Sequence, residues 1–187
     1  MTANEYLKNV LDAQRLTDDQ LEVLSKHHAE IESLLREKFG TSPVIKYGGS
    51  KAKGTMIKES YDLDIVCYFL NSYEKSLKEI FADARKCLEG KYTVDPKTSA
   101  LRIKAVNAQG LMVDYHIDVV PGKFCDESNG DAFLYFSGAE KERLKTNIKV
   151  HIDYVSGSNY RDVIKILKLW RTRNNLSIKT FVLELLT

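Results

Sequence analysis

Apolar side chains recur at helical spacing through the first part of the chain. Two helices are predicted there. The second is the better marked, because Thr17 and Gln20 form a capping-box pair and Gly40 follows the last turn. Its apolar side chains lie on one face, which would pack on a core: Leu21, Leu24, Ile31 and Leu35. The chain is therefore expected to open with helices.

The middle of the chain changes to the two-residue period of β-strands. A short strand at 44–47 leads into the turn Gly48-Gly49-Ser50, and DLDIVCYFL at 62–70 is a partly alternating, then wholly apolar strand. An amphipathic helix is predicted over 73–88. The elements that follow are a β-hairpin of 100–107 with 111–120 that ends at Pro121-Gly122, a loop over 123–131 and a short strand at 132–136.

The last part returns to helical spacing. Residues 160–173 place Val163, Leu167 and Trp170 on one face as core residues, and 179–186 predict a short closing helix. Helices, strands, a long helix, more strands and then helices predict an α+β fold with a small mixed β-sheet.

A soft boundary falls near Ser156-Gly157-Ser158. We therefore expect a sheet-containing core over 1–157 and the start of a helical domain over 158–187.

Composition limits the function classes. The 187 residues are 43% hydrophobic, enough for a core, and the net charge of +2 gives no support to a strongly basic nucleic-acid binder. No apolar run approaches the roughly 18 residues of a membrane span, and the N-terminus lacks the apolar segment of a signal peptide. Three dispersed cysteines without CxxC spacing argue against disulfides and zinc. We expect a reduced, cytoplasmic protein without membrane contact.

Three aspartates carry the chemical signal. Asp62 and Asp64 are two apart at the head of a predicted strand, so both carboxylates point to the same face. Asp118 lies on another predicted strand, in HIDVV. If the two strands are neighbours, three carboxylates converge, and a divalent cation would relieve their repulsion. Such oxygen ligands suit Mg²⁺ or Mn²⁺, and two such ions can serve phosphoryl or nucleotidyl transfer.

A glycine-rich turn precedes these aspartates. Glycines flank Ser50, and lysines and a threonine lie close by, in GGSKAKGT at 48–55. Glycines let backbone N–H groups approach an anion, and a following helix N-terminus favours phosphate. Each motif is weak alone, since a DxD arises by chance and most glycine turns only connect elements. The combination predicts a phosphate and metal site.

Together the motifs resemble a known superfamily. GGSKAKGT followed by DLDIV is similar to the signature of the DNA polymerase β-like nucleotidyltransferases, and HIDVVP matches the strand of their third carboxylate. RDVIKILKLW and KTFVLELL resemble the helical region of the branch that contains bacterial CD-NTases, 2′-5′ oligoadenylate synthases, cGAS and archaeal-type CCA-adding enzymes. The similarity covers about residues 45–70, 111–122 and 160–186. It implies a palm-like core followed by a helical domain.

The resemblance also implies roles for the motif residues. Ser50 with the backbone of Gly49 would hold a triphosphate. Asp62 and Asp64 would ligate two metal ions, Mg²⁺ or Mn²⁺. Asp118 would complete the metal site that activates the acceptor hydroxyl, and would take its proton.

Four further residues extend the implied nucleotide site. Lys53 and Thr55 belong to the turn, and Lys53 stands where this branch often carries arginine, which keeps the charge without the planar fork. Lys168 matches a lysine that reaches the phosphates, and Thr180 falls where relatives carry a serine. The chain ends at Thr187, whereas relatives have a larger helical domain, so a truncated domain or an open cleft is expected.

Two features of the sequence each allow two interpretations. His116 shares the predicted face of Asp118, as a metal neighbour or, more commonly for a strand histidine, as a packed structural residue. Four basic residues follow between 141 and 149, namely Lys141, Arg143, Lys145 and Lys149. They either track an RNA backbone or form a solvated basic face, which is the commoner case.

The sequence thus predicts a metal-dependent nucleotidyltransferase that moves a nucleoside monophosphate from an NTP to a hydroxyl acceptor. The leading hypothesis is synthesis of a cyclic or linear oligonucleotide second messenger of the phage-defence type. One alternative is nucleotide addition to an RNA 3′ end, of the CCA-adding or poly(A) type. Another is an inactive nucleotide- or RNA-binding module, against which the three intact carboxylates argue. Expected partners are NTPs and a nucleotide or RNA acceptor, and the oligomeric state is left open.

Overall fold

The computed structural model describes residues 1–106, 110–138 and 142–187. Within these ranges the helices are α1 (Ala3–Ala13), α2 (Asp18–Phe39), α3 (Gly49–Lys53), α4 (Leu77–Glu89), α5 (Ile148–Ser156), α6 (Arg161–Arg173) and α7 (Thr180–Leu185). The strands are β1 (Pro43–Tyr47), β2 (Leu63–Phe69), β3 (Thr93–Pro96), β4 (Leu101–Lys104), β5 (Ile117–Asp126), β6 (Asp131–Tyr135) and β7 (Arg143–Thr146).

The helices differ in how they begin. Capping boxes close the N-termini of α1, α2 and α4, formed by Thr2 with Glu5, Thr17 with Gln20, and Ser76 with Glu79. The side chain of Asn147 caps α5. In the described structure α3, α6 and α7 begin without a side-chain cap. The predicted box at Thr17 and the end of α2 at Gly40 are confirmed.

The strands form one mixed sheet, which confirms the predicted α+β class. Its order over the described residues is β1-β2-β5-β4-β3, with β6 and β7 continuing from β5. β5 is central: it runs parallel to β2 on one edge, and its other edge pairs antiparallel with β4 and then with β6. A parallel pair beside antiparallel pairs makes the sheet mixed, as the element order predicted.

The core fills one face of this sheet. Helices α2 and α4 pack there with alternate residues of β2, β4 and β5, among them Leu24, Ile31, Leu35, Leu63, Ile65, Ile80, Leu88, Leu101, Ile117 and Val119. A smaller apolar cluster lies on the other face and consists of Val66, Tyr68, Ala132 and Leu134, with Ile148 of α5 packed against it. Successive residues at the start of β5 therefore face the main core and the opposite face of the sheet in alternation.

The predicted hairpin needs correction. Its first strand ends at Lys104 and its partner begins only at Ile117, so the two pair antiparallel across a long connection, of which 107–109 lie outside the described residues. Pro121 does not end the strand, because it lies where the edge of β5 changes partner from β4 to β6. Gly122 also continues the strand, because it pairs with Tyr68 and with Leu134. A Cβ at this position would come within 2.9 Å of the Tyr68 ring. The predicted loop at 123–131 is thus largely strand.

Other predictions were incomplete or wrong. Strands β3 and β7 and helix α5 were missed, and the helix predicted from 73 begins at Leu77. Trp170 and Val163, predicted as core, are 50% and 45% exposed, because α6 buries Ile164 and Leu169 instead. No helix among the described residues combines the length and apolar character that crossing a bilayer requires.

Candidate active site

The sheet brings the three predicted aspartates to one place. Asp64 and Asp118 are directly paired neighbours on the parallel strands β2 and β5. Asp62 immediately precedes β2, and its Oδ1 accepts a hydrogen bond of 3.1 Å from the backbone N–H of His116, just before β5. The parallel pairing therefore places all three residues at the starts of two adjacent strands. His116 contributes its backbone to this arrangement.

The buried member of the group is Asp64. Burial, together with the nearby carboxylates of Asp118 and Asp62, raises the pKa of Asp64 to about 6, against the opposing charges of Lys53 and Lys168. A carboxyl group whose charge is disfavoured by both desolvation and like charges is a typical site for a compensating cation. The electrostatics thus favour cation binding beside Asp64.

Asp118 has a partner that the sequence did not reveal. Arg102 on β4 is its direct cross-strand neighbour and donates two hydrogen bonds to it, of 2.9 and 2.8 Å, in a bidentate ion pair. Hydrogen bonding to Asp118 raises the pKa of Arg102. The register of β4 against β5 creates this pair, and no local motif around Arg102 encodes that register.

The three carboxylates do not form a closed metal cage in this arrangement. Among the described residues, no three His, Cys, Asp or Glu side chains are grouped so as to enclose an ion. Asp118 is turned toward Arg102, whereas Asp62 is turned toward the amide of His116. A bound cation would therefore have to draw Asp118 from its arginine.

The glycine turn packs directly against Asp64. The N–H of Gly48 donates to the backbone oxygen of Asp64 over 2.8 Å. Gly49 has φ +49°, and a Cβ there would lie 1.6 Å from Oδ2 of Asp64. Only glycine fits this position, so the turn and the carboxylate form one unit. Ser50 follows in the first turn of α3, a short helix that begins without a side-chain cap.

A polar cleft of about 260 Å³ lies beside this unit. Its walls come from the turn and α3, from the start of β2, and from α6 and α7, and they include Gly49, Ser50, Lys53, Asp62, Asp64, Lys168, Thr180 and Glu184. Three distant segments of the chain therefore meet in one cavity. Asp118 lies next to Asp64 but is not part of the cleft wall.

The cleft cations already have partners. Lys168 is 3% exposed and donates a hydrogen bond of 2.7 Å to the backbone oxygen of Thr55. Burial, together with the neighbouring charge of Arg171, lowers the pKa of Lys168 to about 8. Lys53 forms a buried ion pair of 2.6 Å with Glu184 of α7. Glu184 was not predicted, because only the docking of α7 brings it to the turn.

The two predicted threonines occupy different positions. Thr180 lines the cleft, and its hydroxyl accepts a hydrogen bond of 2.8 Å from Arg171. Thr55 is fully buried and does not line the cleft wall, and its contact with phosphate stays a prediction. It reaches the cleft indirectly, through the backbone oxygen that holds Lys168.

A curated relative matches this chain over part of its own length. No family model matches the chain. It is 24% identical over 153 residues to a cyclic AMP-AMP-AMP synthase of Escherichia coli (strain MS 115-1), with 74% of this chain and 47% of that protein covered. The chain therefore spans about half the length of this relative.

Solved structures share the fold. The Elizabethkingia meningoseptica CdnE cyclic dinucleotide synthase with GTP and Apcpp matches with a TM-score of 0.68 and 18% identity, over 91% of this chain and 74% of that chain. Escherichia coli MS115-1 CdnC with ATP matches with a TM-score of 0.62 and 22% identity, over 93% and 60%. The GLD-2/RNP-8 complex matches with a TM-score of 0.64 and 14% identity, over 97% and 58%.

The architecture of this chain is the fold that these solved structures share. A mixed sheet carries paired aspartates on adjacent strands, with a glycine turn beside them. More narrowly, the sequence relative and the structural neighbours confirm the resemblance to the CD-NTase branch.

Proposed function

We propose that this chain carries the catalytic core of a metal-dependent nucleotidyltransferase, which moves a nucleoside monophosphate from an NTP to a hydroxyl acceptor. One observation carries the proposal. A single cleft brings the Gly49-Ser50 turn, the Asp62–Asp64 pair and Lys168 together from three separate segments. Anion donors beside clustered carboxylates are the requirement of a site that binds a phosphate group together with divalent cations.

The residues present fit a divalent cation. The donors are carboxylate oxygens, the ligands that Mg²⁺ and Mn²⁺ prefer. Burial of Asp64 among Asp62 and Asp118 leaves negative charge that the protein's own cations offset only in part. Asp62, Asp64 and Asp118 would hold two ions, which when bound would neutralise phosphate charge and favour deprotonation of the acceptor hydroxyl.

The chain's own groups would position the triphosphate. The glycine turn and Ser50 offer donors at the start of α3, and Lys53 of α3 and Lys168 of α6 offer positive charge in the cleft. A triphosphate carries about four negative charges, so these cations matter even beside metal ions. Lys168 is held in place by the oxygen of Thr55, which makes it a fixed donor rather than a mobile surface lysine.

Two ion pairs would have to open or rearrange for the reaction. Glu184 is ion-paired with Lys53, and an incoming phosphate would compete with it for the ammonium group. Arg102 occupies both oxygens of Asp118, which we infer to be the group that receives the proton of the acceptor hydroxyl. Release of Asp118 from Arg102 would make that carboxylate available.

The sequence relative points to the product class. That protein is named a cyclic AMP-AMP-AMP synthase, and the structural neighbours include cyclic dinucleotide synthases. We propose that the whole protein to which this chain corresponds makes a cyclic or linear oligonucleotide second messenger of the phage-defence type. Addition to an RNA 3′ end is the competing outcome of the test.

The test is an incorporation assay with each α-³²P-labelled NTP in Mg²⁺ or Mn²⁺, with and without an RNA oligonucleotide. Labelled oligonucleotide that forms without RNA supports messenger synthesis, whereas label that extends the RNA supports the alternative. Asp64→Asn should abolish either product, and Asp83→Asn, a change of the same chemistry at a half-buried residue of α4 outside the cleft, should not. Equal activity in the Asp64→Asn variant would overturn the proposed site.

A further inference from the structure

The basic segment singled out in the sequence includes β7, whereas Lys141 lies outside the described residues. β7 pairs antiparallel with β6, and this register sets Tyr135 opposite Arg143 and Phe133 opposite Lys145. Directly paired residues share a face, so two aromatic rings and two cations form one strip, here called the β6–β7 ladder. The guanidinium of Arg143 lies 4.7 Å from the centre of the Phe133 ring. Aromatic and cationic groups are thus interleaved.

The ladder forms one wall of an open cavity of about 910 Å³. The first turn of α4 forms the facing wall and adds Lys78. Lys145 is ion-paired with Asp131, whereas Lys78 and Arg143 have no ion pair among the described residues. Both of these cations are exposed to solvent. The cavity wall thus carries three cations, one of them ion-paired, and one carboxylate, Glu142, so positive charge is in excess beside half-buried aromatic rings.

This cavity is separate from the proposed active site. Tyr135 packs against the main core on the α2 and α4 side of the sheet, whereas its neighbour Leu134 belongs to the cluster on the opposite face. Asp118 alternates with the core residues Ile117 and Val119, so it faces the side away from the ladder's aromatic rings. The sheet itself lies between the two sites. A ligand of the ladder would not be bound by the carboxylates.

We propose that the β6–β7 ladder and Lys78 bind a single-stranded RNA segment. Arg143 and Lys145 lie two residues apart on one strand, about 6.7 Å along its axis, which is close to the spacing of successive phosphates on an extended nucleic-acid strand. Cations that follow a backbone and aromatic rings that stack on bases are the two components of single-strand binding. The proposal does not depend on the reaction assigned to the other face.

An acidic peptide is the main competing ligand of the same charge. It would use the cations but would gain little from planar aromatic groups, because carboxylate side chains do not stack. The presence of Phe133 beneath Arg143, in the strip that carries the cations, favours a ligand with planar bases. RNA accounts for both halves of the strip.

The test measures binding of fluorescein-labelled oligoadenylate RNA by anisotropy, in EDTA, across a salt series. Arg143→Ser with Lys145→Ser should weaken binding about tenfold or more and reduce the salt slope by roughly 1.4, as two phosphate contacts are lost from a single strand. Phe133→Leu should weaken binding about fivefold or more through lost stacking. The matched control is Lys8→Ser with Lys86→Ser, two exposed cations outside the cavity, and it should stay within about twofold of the original.

Several outcomes would overturn the proposal. These are absence of RNA binding, equal losses in the two double variants, or displacement of RNA by an oligoglutamate peptide or by ATP alone at similar concentration. A loss of RNA binding in Lys168→Met without a loss in the ladder variants would place the RNA in the catalytic cleft and would equally reject the ladder. Incorporation activity is not part of the readout, so failure here leaves the proposed reaction untouched.

Discussion

The two faces of the strand pair β2 and β5 share a backbone and differ in chemistry. On one face Leu63, Ile65, Ile117 and Val119 are fully buried against α2 and α4. On the other face, one residue away along each strand, stand Asp64 and Asp118. The apolar residues that pack on the core therefore fix the position of the carboxylates on the opposite face. A change in the core should disturb the fold, and a change in the site should disturb only electrostatics.

The largest expected effect is on the core face. Ile65→Ala removes a fully buried side chain and should lower the free energy of unfolding by about 2–5 kcal/mol. Its neighbour Asp64→Asn should not destabilise the metal-free protein at all. Urea denaturation of both variants measures the difference. A destabilised Asp64→Asn protein would show that this carboxylate supports the fold, and the contrast between the faces would fail.

The second effect is a pH dependence confined to the site face. The pKa of Asp64 is raised to about 6 in the folded state, so the stability linked to its protonated form is present at low pH and is lost as pH rises through about 6. Asp64→Asn should therefore stabilise the metal-free protein by about 1–3 kcal/mol at pH 7 and by almost nothing near pH 4. Denaturation curves at several pH values test this. A gain that is independent of pH would contradict the assignment.

The third effect concerns Lys168 in the cleft. Its pKa is lowered to about 8, so its positive charge is present below that pH and is lost above it. Affinity for ATP should fall by up to about tenfold between pH 7.5 and pH 9, and Lys168→Met should bind weakly with little dependence on pH in this window. Lys165→Met, a more exposed lysine on the same helix, is the control. Calorimetry that finds parallel pH curves for all three proteins would remove Lys168 from the phosphate site.

The smallest effect should come from Arg102, the neighbour of Asp118 on β4. Because this arginine competes for both oxygens of Asp118, Arg102→Leu should increase the stabilisation by Mg²⁺ or Mn²⁺ by about 1 kcal/mol. Thermal melts across metal concentrations measure it, with Arg85→Leu on the exposed side of α4 as control. A smaller metal response in Arg102→Leu would mean that the arginine assists metal binding.

What the sequence could predict follows from the range of each interaction. The glycine turn and Asp62–Asp64 lie within one short segment, so their chemistry is visible locally, and the capping box at Thr17 is equally local. Arg102 and Glu184 depend on the register of β4 and the docking of α7. No local pattern reports either of these.

The incorrect predictions have the same origin. Trp170 was assigned to the core from helical spacing alone, but the packing partners of α6 select the face with Ile164, Lys168 and Leu169. The end of β5 was placed at Pro121 because proline usually interrupts a central strand, and the change of pairing partner there removes that constraint. The domain boundary at residue 157 stays a prediction. Lys168 and Glu184, which follow it in the chain, contact residues 53–55 on its other side.

Among the described residues, the three helices without side-chain caps all border the cleft, whereas the four capped helices contribute no residue to its wall. A missing cap costs a helix about 1 kcal/mol and leaves its first amide groups unsatisfied by the protein. Local opening should therefore be easiest around the cleft, and backbone amides at the starts of α3 and α7 should exchange with deuterium faster than those of α2 and α4. An anion seated there would complete these helix ends and slow the exchange. Part of the binding free energy of the ligand would then go into ordering these helix ends. Folding of the cleft would in this way be completed by ligand binding.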